Sequence, residues 1–298
     1  MTVGQKVPLD NVRELMTGLL GTNPAALVVG NASEILRSIP DHTFACCVTS
    51  PPYWGLRDYG IPGQIGAEED LEAYIDHLVS VFAEVRRTLK QAGTLWLNIG
   101  DSYTSGNRKW RDKDAKNPAR AMSYRPPTPE GLKPKDLVGV PWRLAFALQA
   151  DGWFLRSEII WHKPNCQPES VKDRPTRAHE HIFLFSKSKK YYYDYEAVME
   201  QANGSAELRN LRTVWSINTE PFPEAHFATF PPALVEPCVK AGSRPGDVVL
   251  DPFIGSGTVA LVCLQHRRRA LGIELKPEYA EIARKRLGVD LPLYRAAV

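Results

Sequence analysis

Two short strings hold the residue types from which chemistry could be built. The first is Thr49-Ser50-Pro51-Pro52-Tyr53-Trp54. It follows the apolar run Phe44–Val48, which reads as a strand, so it sits at the carboxyl end of that strand, where open α/β sheets place their ligands. Two consecutive prolines fix φ and remove both N–H donors, which keeps the Ser50 and Pro51 carbonyls out of a regular ladder and leaves them as rigid acceptors. With the Ser50 hydroxyl and the face of Tyr53, the string makes a platform on which a planar heterocycle can stack while its exocyclic amine donates hydrogen bonds. Such an amine is a poor nucleophile because its lone pair is delocalised into the ring. Acceptors around both N–H groups favour a pyramidal nitrogen whose lone pair can face an electrophilic methyl, which is catalysis by positioning and electrostatics. The same residues also suit a plain Pro-Pro loop covered by a packed Tyr and Trp.

The second string is Asp251-Pro252-Phe253-Ile254-Gly255-Ser256-Gly257-Thr258, between the apolar run Val248–Leu250 and a helical pattern. Glycines there let a ligand approach the backbone, and the helix that follows points its first N–H groups outward. The string lacks the third glycine of the dinucleotide fingerprint and the Gly-Lys-Ser/Thr of a phosphate loop, so neither pyrophosphate nor triphosphate is favoured. Instead Asp251 ends the strand, which suits a cationic group. Glu274 closes the next strand, near the ~20-residue offset at which an acid accepts hydrogen bonds from ribose hydroxyls. A nucleoside carrying an ammonium fits this pair, and S-adenosylmethionine is the commonest such ligand. Without a ligand, the glycines are a strand-to-helix turn and Glu274 a solvated strand end.

The elements that must position these strings can be read from periodicity. Ala25–Val29 is strand-like, Ser33–Ile39 helical and Phe44–Thr49 a second strand, which makes a β-α-β unit. Asp70 can cap a helix running to about Lys90, with Leu71, Ile75, Leu78, Phe82, Val85 and Leu89 recurring every three or four residues; Gly93 then stops it and Thr94–Ile99 is a strand. A helix follows near Leu137–Ala150, then strands at Trp153–Trp161 and His181–Phe185. After Asp247 the rhythm returns as strand, turn, helix Val259 to about His266, strand Ala270–Ile273 and helix Glu278–Leu287. This alternation predicts a mostly parallel sheet covered on both faces. Residues 1–24 read as an irregular lead-in or a short helix. Between Asp101 and Asp136 stand nine Lys and Arg against five acids, with Tyr103, Trp110 and Tyr124 interleaved, which marks a polar insertion. A second basic and aromatic stretch, Lys187–Tyr193, reads equally well as a packed strand.

The chain has 298 residues, 43% hydrophobic and 24% charged, which excludes collagen-like, mucin-like and wholly disordered classes. It has no run of about 18 apolar residues and no signal-peptide layout at its start, so a cytoplasmic protein without membrane contact is expected. Five cysteines without a C-x-x-C pair suggest reduced, mostly buried thiols and no metal. A net charge of +3 does not by itself announce a nucleic-acid binder.

Taken together, the two strings resemble the amino-methyltransferases that modify the exocyclic nitrogen of cytosine or adenine in DNA. The family's catalytic tetrad, Asp/Asn/Ser-Pro-Pro-Tyr/Phe/Trp, is matched by Ser50, Pro51, Pro52 and Tyr53. Its cofactor motif, D-P-F-x-G-S-G-T, is matched by Asp251, Phe253, Gly255, Ser256, Gly257 and Thr258. Catalytic motif before cofactor motif is similar to the permuted order of the β class. His226-Phe227-Ala228-Thr229-Phe230-Pro231 is similar to the H-x-A-x-F-P segment that lines the methionine end of the cofactor, and Glu274 matches the ribose-binding acid. The family usually has Gly-Asp after the strand preceding the tetrad; this chain has Gly30-Asn31, and the Asn31 carbonyl can accept from the adenine amine without bringing a charge.

The resemblance implies an α/β, Rossmann-like S-adenosylmethionine-dependent methyltransferase fold with a doubly wound sheet and an inserted target-recognition region. It divides the chain into a catalytic half at 25–100, a basic insertion at 101–136 and a remainder at 137–290 that includes the cofactor-binding half. It implies cofactor contacts by Asn31, His226, Phe227 and Phe230 besides the motif residues. Double-stranded DNA is the implied partner, with a flipped target base and with Arg108, Lys109, Arg111, Lys113, Lys116, Arg120 and Arg125 as phosphate or base contacts. A homodimer and a companion restriction endonuclease are left open. Ser at position 50 is the variant associated with cytosine N4; adenine N6 is the alternative, and a non-catalytic binding protein or a methyltransferase of RNA or a protein amide are further ones. Pro164-Asn165-Cys166 superficially resembles the Pro-Cys of cytosine-C5 methyltransferases, but Asn165 intervenes and Cys166 reads as a bystander.

Overall fold

Strands whose residues are buried along their whole length need cover on both faces, and the centre of this molecule is built that way. The structure, a computed structural model, describes residues 6–7, 10–21, 23–104, 126–202, 206–220, 230–288 and 293–296. In chain order these form β1 (Lys6–Val7), α1 (Asp10–Gly21), β2 (Ala25–Val29), α2 (Ala32–Arg37), β3 (Phe44–Thr49), α3 (Leu71–Thr88), β4 (Leu89–Ile99), α4 (Val140–Ala150), β5 (Phe154–His162), β6 (His179–Ser186), β7 (Glu200–Gln201), β8 (Leu208–Arg209), β9 (Val214–Ser216), α5 (Pro232–Gly242), β10 (Val248–Asp251), α6 (Thr258–Gln265), β11 (Arg269–Glu274), α7 (Pro277–Leu287) and β12 (Leu293–Ala296).

Ten strands form one sheet in the order β1-β12-β2-β11-β10-β3-β4-β6-β5-β9. All neighbours are parallel except where β6 runs against β4 and β5. Every residue of β2, β3 and β10 is buried, as expected for parallel strands covered twice. One core contains Leu15, Ile35, Leu78, Phe82 and Leu144 from α1 to α4, and the other contains Leu234, Val239, Val259, Cys263 and Ala283 from α5 to α7. The doubly wound α/β sheet read from the sequence is therefore the observed fold.

Strands from the C-terminal third, β10 and β11, lie between β2 and β3. Their registers, Glu274 beside Val29 and Leu250 beside Cys47, bring the carboxyl ends of β2, β11, β10 and β3 along one edge of the sheet. That edge holds both chemical strings.

Several boundaries differ from the sequence reading. Asp70 caps α3 as expected, its carboxylate accepting from the Ala73 N–H at 2.6 Å, but α3 ends at Thr88 and the chain turns directly into β4 at Leu89, which is extended. Gly93 does not stop the helix; it lies inside β4, where a Cβ would sit 2.9 Å from the Lys90 carbonyl oxygen and 3.2 Å from that of Ala45. The lead-in contains α1, which buries Leu15, Met16 and Leu19. Helix α5 escaped the reading because its sequence holds Pro232 and Pro237; Pro232 fits the first turn, where no N–H is needed. The insertion leaves and re-enters the fold through a pinned stem: Tyr103 bridges Leu137, the Thr104 N–H donates to Asp136 O and the Val138 N–H to Ser102 O, each at 2.9 Å. Arg108, Lys109, Arg111, Lys113, Lys116, Arg120 and Arg125 lie outside the described residues, as do His226 and Phe227.

All five cysteines are free; Cys46, Cys47, Cys238 and Cys263 are buried, and burial pushes their thiols up. Among the described residues, no helix is long and apolar enough to cross a membrane.

Candidate active site

The two strings meet through one hydrogen bond. The Thr49 hydroxyl, at the end of β3, donates to Asp251 Oδ1, at the end of β10, over 2.6 Å and 202 positions of sequence. Asp251 is 1% exposed, and its Oδ1 also accepts from the Phe253 N–H at 3.1 Å. Burial pushes its carboxyl up to about 7 in spite of both donors. The carboxylate that was expected to face a cation thus uses its Oδ1 to join the two loops at their roots.

The turn after β10 is shaped by glycine. Gly255 and Gly257 have φ of 51° and 84°, and a Cβ on Gly257 would lie 3.0 Å from that of Ala283 in α7. Glu274, at the end of β11, closes the turn: its Oε2 accepts from the Gly255 N–H at 3.0 Å and its Oε1 from the Lys276 N–H at 2.9 Å. Burial pushes its carboxyl up to about 7, against those two bonds. The Ser256 and Thr258 side chains do not face the edge of the sheet. Both residues are 3% exposed, and the Arg286 guanidinium donates to their hydroxyl oxygens at 3.0 and 2.8 Å. What the turn offers outward is backbone, and α6 starts without a side-chain cap, leaving its first N–H groups for an acceptor.

Asn31 caps α2, its Oδ1 accepting from the N–H groups of Ser33 and Glu34 at 2.9 and 3.4 Å. The carbonyl read as an acceptor for an adenine amine is engaged in that cap. Phe253 packs against the first core. Phe230, just before α5, packs against the second and lines a narrow cleft with Thr49, Trp96, Asn98 and Leu234.

Around the Pro-Pro loop, the structure brings together more polar side chains than the sequence suggested. The Ser50 hydroxyl donates to Tyr53 Oη at 3.4 Å, and the Tyr53 hydroxyl donates to Glu180 Oε2 at 2.8 Å. Asn98 Nδ2 lies within 3.3, 3.1 and 3.0 Å of Ser50 Oγ, Tyr53 Oη and Glu180 Oε2. Asn98 Oδ1 is buried and has no partner among the described residues. Lys163 pairs with the other oxygen of Glu180; each side chain is 17% exposed, and the Lys163 ammonium sits 4.1 Å over the Trp161 ring. Burial alone would raise the Glu180 carboxyl, but Lys163, with Asn98 and Tyr53 donating, holds it below the usual carboxylate range. Burial, then the Glu180 charge, push the Tyr53 phenol well up. Gly100 makes room for the ring: a Cβ there would be 2.7 Å from Tyr53 Cε2. The Pro52 carbonyl accepts from the Tyr74 hydroxyl at 2.8 Å, which fixes the loop against α3.

Asn98, Gly100, Lys163, Glu180 and Arg286 were missed by sequence reasoning. The polar Asn98 inside the apolar run Leu95–Ile99 was a visible signal. Glu180 had none, because only an antiparallel β6 brings its first residues to the carboxyl ends of β3 and β4.

A family model described as DNA methylase, covering the N6 and N4 methyltransferases, matches residues 44–285. The chain belongs to this family. The DNA methylase is 65% identical over 262 residues to the Type II methyltransferase M.SmaI of Serratia marcescens, covering 88% of this chain and 90% of the relative. It is 60% identical over 279 residues to the Type II methyltransferase M.Cfr9I of Citrobacter freundii, covering 93% of each. Among solved structures it is similar to a protein of Thermus thermophilus described as a putative DNA modification methylase and complexed with S-adenosyl-L-methionine; identity is 28%, TM-score 0.64, and coverage 92% of this chain and 99% of that one. The fold also matches that of the cytosine-N4-specific PvuII DNA methyltransferase, with TM-score 0.67, 22% identity and coverage of 90% and 88%.

Proposed function

We propose that this DNA methylase transfers a methyl group from S-adenosylmethionine to the exocyclic amine of a flipped base in duplex DNA, with cytosine N4 as the target. The observation that carries the reading is the Thr49–Asp251 hydrogen bond: it fixes an amine-binding loop and a cofactor-type turn side by side on the one sheet edge.

The residues present suit the cofactor. Glu274 offers carboxylate lone pairs beyond the two that its backbone donors use, which matches ribose hydroxyls. The uncapped start of α6 suits the carboxylate of the methionine moiety. The turn glycines hold a backbone shape that residues with a Cβ adopt only under strain. Gly255, Gly257 and Glu274 would therefore hold S-adenosylmethionine, with Asp251, Ser256 and Thr258 fixing the backbone that it meets and Phe253, Asn31 and Phe230 at the margins. When bound, the cofactor supplies an electrophilic methyl carbon on a sulfonium.

The chain's own work is to bind and orient the amine. Ser50 and the carbonyls of the Pro-Pro loop accept its N–H groups, the Tyr53 ring supports the base, and the unpartnered Asn98 Oδ1 is a further acceptor close by. Serine at position 50 leaves this tetrad without a charge and supports cytosine. A stacked, paired base cannot enter the site, so it must be flipped out at a cost of a few kcal/mol. The basic segment from Arg108 to Arg125 would hold the distorted duplex. The named class of the relatives, Type II methyltransferase, fits the modification half of a restriction–modification pair.

The test is to incubate DNA with the enzyme and labelled cofactor, digest it and identify the nucleoside by mass spectrometry. N4-methylcytosine is expected; N6-methyladenine would overturn the choice of base, and label in RNA or protein alone would overturn the substrate class. Ser50→Ala and Tyr53→Ala should lose transfer while still binding cofactor. Unchanged turnover in Ser50→Ala would sink the hydrogen-bond mechanism.

A further inference from the structure

We propose that Ser50, Tyr53 and Glu180 form a proton relay that carries the surplus proton away from the methylated amine, with Glu180 as its terminus. The proposal rests on the amino-methyl transfer reading above and adds to the tetrad one residue, Glu180, that neither the motifs nor the family match assign.

The chemistry requires an acceptor. The amine nitrogen uses its lone pair to bond the incoming methyl carbon, and the electrons of the bond that carbon leaves stay on the donor. The nitrogen is then left with both hydrogens and a positive charge. It must lose one proton to become a neutral secondary amine. The tetrad of this chain has Ser at position 50 and so no carboxylate of its own, and the neighbouring Asn98 is an amide that cannot take a proton. Glu180 is the carboxylate in contact with the tetrad among the described residues.

The hydrogen bonds already run in the required direction, from Ser50 Oγ to Tyr53 Oη and from Tyr53 Oη to Glu180 Oε2. One N–H bond of the amine breaks towards Ser50 Oγ, its electrons remaining on nitrogen. The Ser50 hydroxyl proton moves to Tyr53 Oη as the Tyr53 proton moves to Glu180 Oε2. Serine and tyrosine end as they began, the nitrogen is neutral, and Glu180 is a carboxylic acid that returns its proton to water through its exposed 17%. The longest link, 3.4 Å between Ser50 and Tyr53, is of the kind that tightens when a substrate closes a site. Asn98 Nδ2, close to all three oxygens, holds them in line.

A weakly basic terminus suits this donor. A protonated aromatic amine is a strong acid, so the acceptor must be ionised rather than strongly basic. The titratable groups in contact with Glu180 are Lys163 from just after β5 and Tyr53 from the loop after β3, and its neighbour His179 in β6 turns to the opposite face, against His181. Lys163 keeps the carboxylate charged in a buried place.

The experiment compares the full-length wild type with E180Q and E180A. It measures single-turnover methylation of duplex DNA, equilibrium binding of cofactor and of duplex, and infrared difference spectra of wild type against E180Q. We expect E180Q to bind both ligands within about twofold of wild type and to transfer about 100-fold more slowly, the usual scale of lost acid–base catalysis. Formate should restore E180A at least tenfold, and the difference spectrum at pH 6 should carry an ionised carboxylate band. E180Q turnover within threefold of wild type, no rescue of folded E180A by formate, or a protonated band at pH 6 would each overturn the relay. If the wild type itself transferred no methyl group to DNA, the functional reading would fall and the relay with it; wild-type transfer matched by E180Q removes the relay alone.

Discussion

At the scale of single residues, Asp251 shows how a motif acid can serve architecture. Its folded carboxyl lies at about 7 because burial outweighs its donors, against about 3.9 for an unfolded aspartate. The folded state therefore binds a proton that the unfolded state releases between about pH 4 and 7, and stability falls as pH rises through that window. Glu274, also held up at about 7 by burial, adds a contribution of the same sign. His179, whose folded imidazole is held below its ordinary value by burial, opposes them. Comparison with Asp251→Asn isolates the aspartate: the wild-type urea midpoint should fall from pH 5 to pH 8, and the variant should lose a part of that fall worth a few kcal/mol. Equal falls in the two proteins would contradict the burial argument. Gly100 makes a second prediction. Gly100→Ala puts a Cβ 2.7 Å from Tyr53 Cε2, at an overpacking cost of about 1–3 kcal/mol. Methylation should drop at least about tenfold, on the order of 1.4 kcal/mol in the barrier, while cofactor affinity measured by calorimetry stays near wild type.

At the scale of elements, helix α7 acts on the turn after β10 through one side chain near its end. Arg286 donates to the Ser256 carbonyl as well as to the Ser256 and Thr258 hydroxyls, so one side chain ties together the second and fourth residues of the G-S-G-T arc. Removing a charged donor from buried acceptors costs about 1.5–3 kcal/mol. Arg286→Met should therefore weaken S-adenosylmethionine binding by roughly tenfold or more, read by calorimetry, and Arg286→Lys should recover part of it. A methionine variant with unchanged affinity would mean that the turn holds its shape without the clamp. Strand β6 contributes in another way: its reversed direction delivers the start of a strand, rather than the end, to the active edge. This is how Glu180 reaches Tyr53.

At the scale of the whole molecule, the proposed function divides the work between the sheet edge and the insertion. The stem at 102–104 and 136–138 roots the insertion just beyond the end of β4, close to the Tyr53 cluster. If the segment holds the duplex, replacing Arg108, Lys109, Arg111, Lys113 and Lys116 by Gln should lower duplex affinity at least about tenfold. It should also reduce the slope of log K against log salt by about 0.9 for each phosphate that the variant leaves unneutralised. Cofactor affinity should not move. Filter binding across a salt series checks both, and an unchanged slope would assign the segment another task.

Much of this was legible in the sequence. Asp70 announced the start of α3, β2, β3 and β10 were fixed by unbroken apolar runs, and both chemical strings were placed after strands, because each of these depends on neighbours in the chain. Pro237 hid α5 and Gly93 misled about α3, since tertiary packing overrode a local breaker in the first and a backbone crowded against β3 absorbed the glycine in the second. The residues alone determined an alternating α/β chain with a Pro-Pro loop and a Gly-rich turn, each following a strand. Only the tertiary structure decided that Thr49 and Asp251 touch, that Arg286 takes the motif hydroxyls and that Glu180 stands behind Tyr53. Strand order, direction and register are settled by the burial of two sheet faces at once, and no local pattern encodes them.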